Sequence, residues 1–231
     1  TAVWTQQVVA GVEGDPAEAE NRIRAIAGPS EDWDPWMLMA VAQAWTGRGT
    51  PGLERAAEVL GTAITRLPDS PEAAGARSLL RRQLGGVLVS LDRAEDALNV
   101  FEQALQDTPR DPELLNNAAF LQATLLDDPE GALPRALAAV ARMPDNWAFL
   151  DTAGKICGML ERWEDAEAFL RRSIAARPRA TNTFHLAEIL SATGRTRDAM
   201  RELERASELL ESGEDDLRTR IDALADELAG R

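Results

Sequence analysis

The chain has 231 residues, of which 45% are hydrophobic and 28% are charged, so it can bury a sizeable core and has the composition of neither a disordered chain nor a membrane protein. Its formal charge of −14 at pH 7 argues against nucleic-acid binding, which needs clustered cationic surface. A surplus of acid more often keeps a protein soluble, and it leaves a basic partner open. Among the 25 basic residues only Lys155 is a lysine, a bias typical of bacteria with GC-rich genomes.

The first thirty residues, 1–30, predict a degenerate helix pair. Residues 3–12 read VWTQQVVAGV, and in the following stretch Asp15 and Pro16 have the residue types that begin a helix, with Ile23 and Ile26 on one side. The chain begins with Thr1 and shows neither a basic-then-apolar leader nor a run of about eighteen apolar residues. We therefore expect no membrane insertion in this segment, and we interpret it as an excised piece of a longer protein. The sequence leaves the compartment open: it slightly favours the cytoplasm, and the periplasm is compatible with a piece excised from a longer chain.

A repeated pattern runs through the middle of the chain. Residues 94–109 read AEDALNVFEQALQDTP and residues 163–178 read WEDAEAFLRRSIAARP, with similar residue types at the same offsets. An alanine recurs, followed four residues later by a bulky or apolar residue and seven residues later by a small one, so that all three share one face of a helix. A proline five residues further on ends the helix in four copies, because it lacks an amide hydrogen. The alanines are Ala56, Ala97, Ala132, Ala166 and Ala199, the middle residues Leu60, Phe101, Ala136, Leu170 and Leu203, the small residues Ala63, Ala104, Ala139, Ser173 and Ala206, and the prolines Pro68, Pro109, Pro144 and Pro178, with Glu211 in the last copy.

Another helical stretch precedes each of these helices and carries a small residue at its middle, namely Gly85, Ala119, Gly154 or Ala187. Small residues at the crossing points allow two antiparallel helices to pack closely. The step from Ala56 to Ala97 is 41 residues, longer than the other steps of 35, 34 and 33, and it predicts a single long helix over residues 71–91. In the first copy the glycines and proline of GRGTPG, residues 47–52, predict a longer loop between the two helices.

The end of the chain predicts a capping helix over residues 214–230. Its apolar residues form a narrow stripe, while acidic residues and arginines occupy the other positions. The stripe consists of Leu217, Ile221, Leu224 and Leu228.

These residues resemble the tetratricopeptide repeat, a pair of helices of about 34 residues with small residues at the crossing points and a proline at the end. The resemblance covers residues 34–211 in five copies, with one extra residue near Asp127 in the third copy and no copy with the family's usual tyrosine. It implies an all-α, right-handed α-solenoid of antiparallel helix pairs with about thirteen helices, arranged as a single array over residues 1–231.

The sequence predicts no catalytic, cofactor-binding or metal site. GRGTPG matches the spacing of a dinucleotide fingerprint, but the preceding MLMAVAQAW is typical of a helix rather than a strand. Cys157 and the single histidine, His185, fall at positions where the repeat predicts structural roles. Paired acids such as Glu164 and Asp165 lie at helix starts, where they complement the helix dipole. We therefore expect a non-catalytic protein that needs no cofactor.

In tetratricopeptide arrays the first helix of each pair lines a concave groove. The resemblance therefore implies a protein-interaction scaffold that binds a peptide or partner protein, with Trp45 and Phe120 as anchors because aromatic residues are enriched in binding hot spots. The alternative is a module for self-association, or for docking within a longer multidomain protein, through Trp4, Trp33 and Trp36. The candidate groove residues are Leu38, Trp45, Arg82, Asn116, Phe120, Asp151, Lys155, Phe184 and Glu188.

One subclass of the family holds a peptide's terminal carboxylate with five basic and amide side chains. Only Arg82 and Asn117 match that pattern here, since Gly86, Ala148 and Thr152 occupy the other three positions. The sequence therefore disfavours chaperone-tail binding.

Overall fold

A computed structural model of the protein describes residues 16–27 and 32–230, and all regular structure in these ranges is helical, without any strand. The predicted all-α class is therefore confirmed. The helices are α1 (Pro16–Ala27), α2 (Pro35–Thr46), α3 (Gly49–Thr65), α4 (Ala74–Ser90), α5 (Ala94–Asp107), α6 (Pro112–Thr124), α7 (Pro129–Arg142), α8 (Trp147–Met159), α9 (Trp163–Ala176), α10 (Ala180–Ala192), α11 (Thr196–Glu208) and α12 (Asp215–Ala229). These ranges contain slightly fewer helices than predicted; the helix expected in residues 3–12, and the side chains of Ile23 and Ile26, lie outside what the structure describes.

Consecutive helices pack as antiparallel pairs because the turns between them are short. α2 packs on α3, α4 on α5, α8 on α9 and α10 on α11. The small residues of the sequence pattern are fully buried at these crossings. A Cβ atom on Gly85 would lie 2.2 Å from Phe101 Cε1, and one on Gly154 would lie 2.6 Å from Leu170 Cγ. The predicted pairing of a small residue with the large residue of the next helix is therefore confirmed.

The long helix predicted over residues 71–91 is present with a different first turn. Pro71–Ala73 forms a 3-10 turn that continues directly into α4, and α4 passes through Gly75 without a break. Proline is compatible with the first turn of a helix because the amide N–H groups of that turn have no acceptor within the helix, so a missing N–H loses no hydrogen bond. α4 is therefore longer than α6, α8 and α10, as the 41-residue step requires.

The predicted loop over residues 47–52 is wrong. Only Gly47 and Arg48 separate α2 from α3, and Gly49 to Gly52 form the first turn of α3. A Cβ atom on Gly52 would lie 2.4 Å from the carbonyl oxygen of Trp45, so glycine is required for this close approach. The glycines and proline therefore permit a tight turn instead of a loose one.

The turns inside the four following pairs share a left-handed residue. Asp92, Asp127, Glu161 and Gly194 have φ values of 57°, 53°, 56° and 74°. In the second copy the Arg93 N–H donates to the Leu88 carbonyl, a bond that closes the end of a helix. The third copy has one more residue in the turn, which confirms the insertion expected near Asp127.

The chain divides into two compact units, Thr1–Leu114 and Leu115–Arg231. In the first unit a core cluster is formed by residues from α2, α3 and α4, with Trp33 preceding them, and Ala97, Phe101 and Ala104 of α5 are buried as well. The core of the second unit extends from Ala119 to Leu228. There α12 packs on α10 and α11 through buried Ile221 and Leu228, as expected of a capping helix. The arrangement of five copies in one array remains a prediction.

A buried polar network joins two repeats of the second unit. The Ser173 hydroxyl donates to the Trp147 carbonyl at 2.7 Å and accepts from Asn182 Nδ2 at 2.8 Å. The Asn182 amide also donates to the Arg177 carbonyl at 2.9 Å, and its oxygen accepts from the Arg179 N–H at 2.9 Å. Both Ser173 and Asn182 are fully buried, so these bonds satisfy groups that water cannot reach.

Candidate binding groove

In the first unit the three nominated residues have different surroundings. Leu38 is buried in the core and offers no contact surface. Trp45 is half-buried, and its indole Nε1 donates to Glu20 Oε1 of α1 at 2.7 Å. Arg82 is half-buried and forms an ion pair with Glu113. Trp45 and Arg82 are therefore engaged within the fold, and Leu38 contributes packing alone.

In the second unit the first helices present an exposed aromatic ring beside a cation. Phe120 on α6 is 41% exposed. Lys155 on α8 places its Nζ 5.3 Å from the centre of that ring, a cation–π geometry. Two of the nominated residues thus form one surface.

A cavity of about 370 Å³ adjoins this surface. α8 and α10 supply most of its wall, α6 and α9 border it, and α12 closes one side. The lining residues are Thr124, Lys155, Gly158, Met159, Trp163, His185, Glu188, Ile189, Ala192 and Arg220.

One residue of the cavity wall, His185, belongs to an acid–histidine pair. His185 Nδ1 lies 2.8 Å from Asp151 Oδ1, and both side chains are buried. The sequence nominated Asp151 as a groove residue and gave His185 a structural role. The structure gives His185 both a buried partner and a position at the cavity.

Arg220 of the capping helix completes the charged part of the cavity. Its guanidinium lies 3.2 Å from Glu188 Oε1, and its Cζ lies 4.6 Å from the centre of the Phe184 ring. Phe184 is 2% exposed, so it supports Arg220 rather than offering a ring to a ligand. Arg220 was not among the predicted site residues, because no repeat position on a capping helix carries a groove role.

Lys155 is the cation with the least compensation in the cavity. Burial lowers the pKa of its ammonium, and nearby Arg220 lowers it further, while Glu188 and Asp151 act in the opposite direction. Neither acid forms an ion pair with it, since Glu188 binds Arg220 and Asp151 binds His185.

The remaining nominated residue, Asn116 on α6, is buried one turn before Phe120. Its Oδ1 has no hydrogen-bond partner. A buried carbonyl oxygen without a donor is costly, so this side chain has unused capacity on the nominated face.

The described ranges contain no group of three or more His, Cys, Asp or Glu side chains placed to hold a metal ion. Within the same ranges no helix has the length and apolar character needed to cross a membrane. Cys157 is buried in the core, where the repeat pattern predicted it.

Paired antiparallel helices that cross at small residues, followed by α12, define a helical-repeat fold of the tetratricopeptide type. Comparison with solved structures gives the same fold. TTC0263, a thermophilic TPR protein from Thermus thermophilus, superposes with a TM-score of 0.65 at 19% identity over 82% of this chain and 97% of its own. MamA from Desulfovibrio magneticus superposes with a TM-score of 0.63 at 19% identity, over 76% of this chain and 94% of its own.

PilW, a widely conserved type IV pilus biogenesis factor, gives a TM-score of 0.64 at 22% identity over 84% of this chain and 90% of its own. No protein-family model and no curated protein matches the sequence. At these identities the likeness shows the fold alone.

Proposed function

We propose that the protein is a non-catalytic interaction module that binds an extended peptide or a partner helix along the first helices of its pairs. The observation that carries this proposal is the face formed by α6, α8 and α10, where exposed Phe120 and the cavity beside it lie together. Aromatic and apolar anchors beside a few polar groups are the usual composition of a binding hot spot.

The roles within this face follow from exposure and charge. Phe120 and Met159, each 41% exposed, supply apolar area to a ligand. Lys155 and Glu188 provide charges that set the register of the ligand, and Asn116 has an acceptor without a donor. In the first unit Trp45 and Arg82 occupy the matching repeat positions, where they contact Glu20 and Glu113, and Leu38 is buried in the core of that unit. In the second unit Phe184 supports the face from the core.

The fold supplies a preformed surface, so binding needs little ordering of the protein. Truncation of Phe120 to alanine therefore removes contact area without removing a core residue. We expect it to weaken binding by about 1 to 3 kcal/mol, which is the usual range for a hot-spot aromatic.

The experiment is a pull-down from native lysate with the wild type, Phe120→Ala and Leu137→Ala. Leu137 is a matched control, because it is 40% exposed and lies on α7, a second helix. We expect Phe120→Ala to lose partners that both the wild type and Leu137→Ala retain. Equal recovery by all three proteins would place binding elsewhere and refute the groove as the site.

The alternative is self-association through the tryptophan-rich first segment. Trp33 is buried in the core of the first unit, Trp36 is 38% exposed, and Trp4 lies outside the described residues. Among the described residues, Trp36 is therefore the tryptophan of this segment that a partner can reach. Sedimentation of the wild type and Trp36→Ala tests it, and a monomer at high concentration would remove it.

A further inference from the structure

The charges of the cavity in the second unit are unevenly satisfied. Glu188 binds Arg220, and Asp151 binds His185. Lys155 borders the same cavity, and its contact in the fold is the face of the Phe120 ring. A partly buried ammonium that forms no ion pair has lost much of its hydration, and the charges of Glu188 and Asp151, which bind Arg220 and His185, offset that loss only in part.

Part of the cavity lining is apolar. Met159, Trp163 and Ile189 line it together with Ala192. A ligand that fills the cavity therefore meets both a cation and a hydrocarbon surface.

We propose that this cavity binds the side-chain carboxylate of a glutamate or aspartate in a partner segment, next to an apolar residue of the same segment. The carboxylate accepts a hydrogen bond from the Lys155 ammonium, and the apolar neighbour packs on Met159 and Trp163. This inference deepens the proposed function and rests on it, because the segment must lie along the same face.

The proposed ligand is an internal segment of the partner, because contact surface lies beside the cavity as well as within it. Exposed Phe120 lies beside Lys155, and Thr124, one turn further along α6, borders the cavity. A segment that contacts Phe120 therefore has a surface on which to continue past the cavity.

The chain contains natural reporters for the test, since its single lysine and single histidine both line the cavity. In ¹H–¹³C spectra the Lys155 Cε–Hε and the His185 Cε1–Hε1 signals each come from one residue of the chain. The probe is the capped peptide acetyl-Leu-Glu-Leu-amide, compared with acetyl-Leu-Gln-Leu-amide and with acetyl-Leu-Gln-Leu carrying a free terminal carboxylate. The proteins are the wild type, Lys155→Met, Lys155→Arg and Arg142→Met, the last of which removes an equal charge from the exposed end of α7.

We expect the glutamate peptide to shift both signals of the wild type saturably and the glutamine amide to bind more weakly. Lys155→Met should weaken the glutamate peptide about tenfold by the His185 signal, the usual effect of losing a hydrogen bond to a charged group. Lys155→Arg should retain most of the affinity, and Arg142→Met should bind like the wild type. Circular dichroism checks that each variant is folded.

Equal binding of the glutamate and glutamine amides, equal binding by Lys155→Met and Arg142→Met, or no saturable shift would each overturn the carboxylate site. Tighter binding of the peptide with a free terminal carboxylate than of acetyl-Leu-Glu-Leu-amide would also overturn the proposal, since the cavity would then bind chain ends. None of these results removes the interaction module itself, whose separate test is the loss of lysate partners in Phe120→Ala.

Discussion

Replacement of Gly85 by alanine tests whether close helix crossing stabilises this fold. Replacement of a glycine inside a helix by alanine normally raises the free energy of unfolding by about 0.5 to 1 kcal/mol, because alanine restricts the unfolded chain. At Gly85 the added Cβ would lie 2.2 Å from Phe101 Cε1, whereas ordinary contacts begin at 3.4 Å. The ring of Phe101 must therefore withdraw by about 1.2 Å from a position in which it is buried.

Overpacking of a filled core costs about 1 to 3 kcal/mol, which exceeds the usual gain from alanine. We therefore expect Gly85→Ala to lower the free energy of unfolding by about 1 to 2 kcal/mol and the urea midpoint by about 0.5 to 1 M. Gly86, the next residue of the same helix, is exposed, and a Cβ there would meet nothing within 4 Å. Gly86→Ala should therefore raise the midpoint. Urea unfolding followed by circular dichroism measures both variants. A Gly85→Ala protein as stable as Gly86→Ala would refute the close packing as a source of stability.

Three further predictions concern other elements. Burial raises the pKa of the Cys157 thiol, so a thiol reagent should label it only as the protein unfolds; rapid labelling of the native protein would contradict its position in the core. Gly194→Ala should cost about 1 kcal/mol in urea unfolding, because φ is 74° there although the space is open; an unchanged midpoint would refute this backbone strain. Hydrogen bonds from Arg171, partly offset by burial, and hydrogen bonds from Arg195 lower the pKa of Glu167 below its ordinary value of 4.5. The ionised Glu167 therefore stabilises the folded protein above pH 4.5, and this contribution is lost as the pH falls through the lowered pKa. Glu167→Gln should therefore lose less stability than the wild type between neutral and acidic pH, as thermal midpoints would show; identical losses would contradict it.

The sequence predicted the helix pairs because the pattern depends on local spacing. Phe101 and Gly85 are placed by positions that recur along the chain, and their contact follows from the pairing of adjacent helices. The prediction of a loop over residues 47–52 was wrong because glycine and proline are frequent both in loops and in first helical turns. Nothing in that segment alone shows that Gly52 lies against the Trp45 carbonyl.

The candidate site was predictable in part. Repeat position identified Phe120 and Lys155 on the face of the first helices, but it could not show which side chains other helices cover. Phe184 is buried under Arg220, which comes 36 residues later in the chain. A contact between such distant positions has no signal in a single sequence, and His185 was placed in a structural role for the same reason.

The copies of the repeat are not interchangeable, and the Ser173 network is the reason. Four copies have alanine where the fourth has Ser173, and only the fourth can therefore accept the Asn182 amide across the junction to the next repeat. A chain assembled by duplicating or shuffling the copies would put alanine opposite Asn182 and leave a buried donor without its acceptor. The order of the repeats therefore matters at this junction, because the fourth copy alone carries the hydroxyl that Asn182 needs.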